Sequence, residues 1–295
     1  MRRYLYAFLP LWILLGATFL GCIAGFFIVQ GLGDDYALRK MIKKSTQFFL
    51  ALSIFPFMAW LKFSKVDLGF APRPLFLKQL LKGFGLGFMT LIPVFIFLTV
   101  VKINVLDVSQ PWTGFWIGKK LLVELLLALL IGFFEESLWR GLFLRILVKH
   151  LPLVSSILIS AFYFASLHFL DSKTVIPVAD MTILSGFQLL GEAIQSMFNP
   201  DILPAFFSLL MVGIYLGMLR TQFKDSLGLC IGCHASWVWQ IKLNKSFFNT
   251  DFTNPYAYLV STYDGVIGPL VTGWLILAVT VFLVYRQLKK AVGEF

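Results

Sequence analysis

Eight stretches of this chain are apolar over lengths that match a lipid bilayer, and nothing else in the sequence restricts its fold so tightly. They run roughly over residues 5–29, 45–63, 79–101, 120–147, 152–169, 202–220, 226–241 and 264–285. A run of about 18 apolar residues is long enough to cross the hydrocarbon core as a helix. The seventh stretch is the shortest of the eight. Over 295 residues the chain is 59% hydrophobic and only 14% charged, with mean hydropathy +0.84, beyond ordinary soluble domains. The expectation is an all-α polytopic membrane helix bundle of about eight transmembrane helices, built as one domain over residues 1–295.

The net charge of +10 does not point to nucleic acid, because most Lys and Arg fall between the apolar stretches, where they set membrane orientation. Arg2 and Arg3 precede about 25 largely apolar residues with no convincing small-residue cleavage site, which reads as a retained first span. With the N-terminus inside, Lys62, Lys65, Arg73, Lys78, Lys82, Arg145, Lys149, Arg220, Lys224, Arg286, Lys289 and Lys290 fall on the inner side. The outer side holds Lys102, Lys119, Lys120, Lys173, Lys242 and Lys245. That bias favours an integral membrane protein with both termini cytoplasmic. A loop bearing Arg39, Lys40, Lys43 and Lys44, partly offset by Asp34 and Asp35, runs against it.

Between the fifth and sixth spans, Met181–Leu190 is apolar, with Gln188, Glu192 and Gln195 to one side. This reads as a helix lying at the membrane interface. Residues 65–74, with two prolines, read as a loop or an interfacial element. Cys22, Cys230 and Cys233 all sit in apolar runs, so no disulfide framework is expected. Cys230, Cys233 and His234 spell a haem-attachment motif, but in this topology they read better as packing residues. The high aromatic content, 17% of residues, suits lipid-facing surface and interfacial belts.

Inside the fourth apolar stretch stand Glu135, Glu136 and Arg140. Ionisable groups at that depth are costly unless paired or facing a wet cavity, so they mark a functional site. Glu136 and Arg140 have the spacing of a helical ion pair, which leaves Glu135 to be explained. His168 and His234 lie in other apolar helices, whereas His150 reads as a solvated turn residue. If the turn is centred on Leu151 and Pro152, Glu135 and His168 each lie 16 residues from it, about 25 Å along straight helices. His234 stands about 17 Å beyond the turn near Phe223. Phe164 is one turn from His168 and walls the cavity beside it. Glu124 either lines the entrance or marks the outer interface.

Glu-Glu-x-x-x-Arg at 135–140, Phe-x-x-x-His at 164–168, and His234 following 213–220 and 226–228 resemble the CPBP (Abi) intramembrane protease family. That family includes CAAX prenyl endopeptidases and bacteriocin-processing or immunity proteins. The resemblance implies a catalytic core over about 120–240 and an endopeptidase whose partners are the bilayer and a membrane-associated peptide or protein. It also implies residence in the cytoplasmic membrane of a bacterium or archaeon. Glu135 would activate water, with Glu136 and Arg140 in support and His168 and His234 completing the site. Many members carry Asn four residues after the last His; here that position is Val238, which leaves Ser236, Trp237, Trp239 or Gln240 as substitute oxyanion donors. A metal-free route and a zinc route, in which Glu135, His168 and His234 would be the candidate ligands, both fit these residue types. Two other readings of the buried Glu, Arg and His are a proton-coupled transporter and a catalytically dead immunity or binding protein.

Overall fold

The structure, a computed structural model, describes residues 5–33 and 37–291. Arg2, Arg3, Asp34 and Asp35 lie outside the described residues, as does the side chain of Lys290. In chain order the elements are α1 (Leu9–Leu32), α2 (Leu38–Leu61), α3 (Arg73–Val100), β1 (Asn104–Leu106) and α4 (Gly114–Glu136). A π-helical segment (Ser137–Phe143) follows. Then come α5 (Leu144–His150), α6 (Leu153–Leu167), α7 (Ser185–Ser196), α8 (Leu203–Gln222), α9 (Leu227–Phe247), β2 (Phe248–Thr250) and α10 (Pro269–Ala291).

Helices occupy all eight apolar stretches and the interfacial segment. Among the described residues, however, four helical segments are apolar enough over membrane length: Tyr6–Leu32, Arg73–Val100, Pro200–Gln222 and Pro269–Lys289. The others carry too much charge or too short an apolar run. α2 is an example, because it begins at Leu38 rather than near residue 45 and so takes Arg39, Lys40, Lys43 and Lys44 into its first two turns. The expected loop there is helix instead. Hydropathy cuts a helix at its charges, but Lys and Arg are good helix formers. The fourth stretch also departs from expectation, since its continuous helix is interrupted by the π segment.

The sequence reads as one domain, while the fold resolves into two compact units, each assembled from two separated stretches: Met1–Leu68 with Ser137–Leu203, and Gly69–Glu136 with Pro204–Phe295. In the first unit, α1 and α2 meet through Gly21 and Gly25, spaced four apart. A Cβ on Gly21 would stand 2.9 Å from the Thr46 amide nitrogen, so only a side chain as small as hydrogen permits this approach. α7 buries Ser185, Gly186, Leu189 and Ala193 and leaves Gln188 and Gln195 exposed, the one-sided pattern its sequence predicts. His150 is not a solvated turn residue. It ends α5, half-buried, its ring stacked on Tyr6 with centroids 3.6 Å apart.

The second unit is organised around α9, which packs on α3 and α4. α3 offers Gly83 and Gly87, α9 offers Gly228 and Gly232, and each pair has the small-xxx-small spacing that lets helix backbones touch. A Cβ on Gly232 would overlap the Leu80 carbonyl, and one on Gly87 would stand 2.6 Å from the Cys233 carbonyl. Polar side chains cross-link the same helices: Trp237 Nε1 donates to Thr90 Oγ1 at 2.9 Å, and Gln240 Nε2 to the Gly87 carbonyl at 3.2 Å. At one end, Asn104 and Asn244 share a buried hydrogen bond of 2.9 Å. Beside it, β1 and β2 form a two-stranded antiparallel ribbon with Val105 opposite Asn249.

Candidate active site

In the second unit, α4 ends on Glu135 and Glu136, and α9 brings His234 to meet them. Glu136 has no exposed surface. Its Oε1 lies 2.7 Å from His234 Nδ1, a short charge-assisted contact of the kind that offsets the cost of burying a carboxylate. A carboxylate oxygen can only accept here, so Nδ1 donates and the Nε2 edge turns to Glu135. His234 Nε2 stands 3.9 Å from Glu135 Oε2. That is too long for a direct hydrogen bond and a distance one water can bridge. Glu135 is the more open of the two acids, its side chain 28% exposed. Its Oε2 is nevertheless buried and, among the described residues, without a hydrogen-bond partner. A buried, unsatisfied carboxylate oxygen facing an imidazole is a place built to take a polar guest.

This geometry follows from one small residue. Gly132 lies one turn before Glu136 on the same face of α4, and α9 passes so close that a Cβ there would stand 3.1 Å from the Ile231 carbonyl and 3.2 Å from the Ala235 nitrogen. Gly132 and Gly232 therefore let α9 lie close against α4 and α3 beside His234, within hydrogen-bond reach of Glu136.

The first unit carries a second cluster. Arg140, 1% exposed, lies in the π segment with its guanidinium carbon 4.4 Å from the centroid of the Phe164 ring, a cation–π distance. The same ring also lies against His168, with centroids 4.7 Å apart. Phe164 is thus buried against both. His168 is not a mid-helix residue. It caps the C-terminus of α6, where its Nδ1 donates to the Phe164 carbonyl at 2.8 Å. Because a carbonyl cannot donate, the neutral ring then keeps its lone pair on Nε2. The π segment has wider turns than an α-helix and is typical of functional sites. It also removes the straight-helix premise on which residue counting from Leu151 rested.

Residues 117–240 match the family model described as Type II CAAX prenyl endopeptidase Rce1-like. This stretch belongs to the CPBP family. The match takes in Glu135, Glu136, Arg140, Phe164, His168, His234 and Val238. No curated protein and no solved structure matches the chain. The apolar helices together with this match support an integral membrane protein, and the match supports a membrane endopeptidase in general.

Against the CPBP pattern, Val238 lies in α9 one turn past His234 and is half-buried. The four neighbours that could replace a missing donor have other engagements. Trp237 donates to Thr90 and Trp239 to the Leu121 carbonyl at 3.0 Å. Gln240 Nε2 is shared by the Gly87 carbonyl, the Ser236 carbonyl and Ser236 Oγ. Ser236 itself is fully buried. Cys230 and Cys233 are free thiols without exposed surface, packed with Tyr215, Leu216 and Trp237, which leaves no path for a haem to reach them. Glu124 pairs with Lys242 at 2.9 Å and so acts as a structural ion pair.

For a metal, the second unit offers His234 Nε2 and Glu135 Oε2 facing each other, two of the four donors a zinc ion takes. Among the described residues no three His, Cys, Asp or Glu side chains gather closely enough to hold an ion. The sequence reading missed Gly132 and the two Gly-xxx-Gly pairs, although their spacing was there to be read.

Proposed function

We propose that this chain is an intramembrane endopeptidase in which Glu135 activates water and His234, held by Glu136, serves the oxyanion. The observation that carries this reading is the set of three groups on two helices: Glu136 bonded to Nδ1 of His234, and Nε2 of the same ring turned to Glu135. With a buried carboxylate at its back, His234 can carry a proton on Nε2 at no net charge to the pair. Glu135 takes a proton from water, and the hydroxide attacks the scissile carbonyl. The oxyanion that forms receives the Nε2 hydrogen bond. Collapse breaks the C–N bond, and the proton on Glu135 passes to the leaving amine.

For His168 the family resemblance implies the part of orienting a water; within its own unit its Nδ1 donates to the Phe164 carbonyl. Arg140 and Phe164 hold that ring in place. The family description points to a membrane-associated peptide of the prenylated CAAX type, with leader peptides as the other class.

One observation favours a second reading, a family member that binds without cutting: Val238 cannot donate, and its neighbours are engaged elsewhere. Purified protein in proteoliposomes, incubated with a membrane-anchored peptide and followed by mass spectrometry, separates the two. Discrete fragments that vanish in Glu135→Gln support the protease. Binding of the intact peptide by wild type and Glu135→Gln alike, without fragments, supports the second reading.

A further inference from the structure

The first unit holds a cavity whose chemistry runs in a gradient. It measures about 90 Å³, room for several water-sized groups. One wall is a single face of α2, where Arg39, Lys43, Thr46 and Leu50 recur every three or four residues. Along about 16 Å of helix this wall passes from cationic, to hydroxyl-bearing, to aliphatic. Leu167 and Leu189 close it from α6 and α7.

The polar end is incompletely satisfied. Lys43 is offset by Asp171 at 3.0 Å. Arg39 reaches the Ser172 carbonyl only through Nη1, at 3.4 Å, and among the described residues its buried Nε has no partner. Thr46 is 8% exposed, and its Oγ1 is likewise without one. Buried donors of this kind are costly unless a guest satisfies them. Apart from the Lys43–Asp171 pair, one guanidinium charge has no carboxylate partner among the described residues. The guest that complements a cationic head, a hydroxyl at mid-depth and an aliphatic floor is an anionic amphiphile, and in a membrane protein basic clusters of this kind recognise anionic headgroups.

We propose that this cavity seats an anionic glycerophospholipid, its phosphate on Arg39 and Lys43, its ester region at Thr46 and an acyl chain leaving past Leu50. The seat is independent of peptide cleavage, so Glu135→Gln protein binds the lipid as wild type does. The test is native mass spectrometry of the purified full chain equilibrated with phosphatidylglycerol, phosphatidylcholine or inorganic phosphate. Wild type should retain phosphatidylglycerol about tenfold over phosphatidylcholine, and Arg39→Gln should lower that retention about tenfold, the loss of one charged hydrogen-bond partner. Thr46→Val, nearly isosteric and removing a hydroxyl without a hydrogen-bond partner among the described residues, should lower retention several-fold without changing the melting temperature. It decides the matter if Arg39→Gln fails to fold. Equal retention of the two lipids, or retention unchanged in Thr46→Val, overturns the proposal. Displacement of the lipid by millimolar inorganic phosphate assigns the site to a free anion and overturns it too.

Discussion

Substitution at Gly132 tests whether helix proximity sets the geometry of the acid–histidine cluster. A methyl at this position would stand 3.1 Å from the Ile231 carbonyl, 0.3 Å short of ordinary contact at 3.4 Å. Gly132→Ala therefore asks α9 to give by a few tenths of an ångström. The 2.7 Å bond between Glu136 and His234 then stays within hydrogen-bonding range. Helix propensity gains about 1 kcal/mol against an overpacking cost of about 1 kcal/mol or a little more, so stability and rate should change little. Gly132→Val adds two further methyls and must push α9 away by about 1 Å, enough to break the bond. Displacements of that size cost on the order of 100-fold in rate. The assay is cleavage of a membrane-anchored fluorogenic peptide in proteoliposomes, with thermal unfolding in the same detergent as the folding control. Folded Gly132→Val protein that cleaves at the wild-type rate would refute the positioning argument. Equal damage from Ala and Val would refute it as well.

The other predictions concern single groups. Glu136→Gln keeps an acceptor for His234 Nδ1 but loses the charge, so kcat should fall about tenfold from the difference between charged and neutral hydrogen bonds. Glu136→Ala leaves that donor unsatisfied and should also lose about 1–3 kcal/mol of stability, read as a lower urea midpoint. Val238→Asn places a donor one turn past His234; kcat should rise if the oxyanion lacks a partner, whereas an unchanged rate would show that another group already serves. In the loop after α2, Asp67 accepts from the Ser64 hydroxyl and amide and from Arg145. The Ser64 bonds first, and then Arg145, hold its carboxyl below the usual range. A lowered acid stabilises the fold above its unfolded pKa of about 4, and that contribution is lost as pH falls through the folded value. Melting curves from pH 6 to pH 3 should show wild type losing its advantage over Asp67→Asn only at the acidic end.

Much of the cluster was legible because lipid is an unforgiving solvent. Glu135 and Glu136 announce themselves in an apolar stretch, since the bilayer tolerates such groups only with a partner. Residue counting matched Glu135 with His168 and set His234 only near them, whereas in the structure His234 lies 2.7 Å from Glu136 and 3.9 Å from Glu135. The π segment at Ser137–Phe143 was not legible, because an extra residue in a helical turn leaves no mark in composition or hydropathy. The same blindness hid the position of His168 at the end of α6, since an apolar run does not show where its helix stops. The start of α2 was misjudged for a different reason, in that hydropathy registers membrane depth and Arg39 to Lys44 are helical without being apolar. The glycine pairs of α3 and α9 were visible as spacings, but their meaning depends on which helices meet.

The measurement that bears most directly on the account is the single-turnover cleavage rate of Glu135→Gln beside wild type, both reconstituted with the same membrane-anchored peptide. If Glu135 takes the proton from water, the amide variant should fold and bind the peptide with unchanged affinity while its rate falls at least 100-fold, the span of general-base catalysis. A folded Glu135→Gln protein that cuts within a few-fold of the wild-type rate would contradict the mechanism.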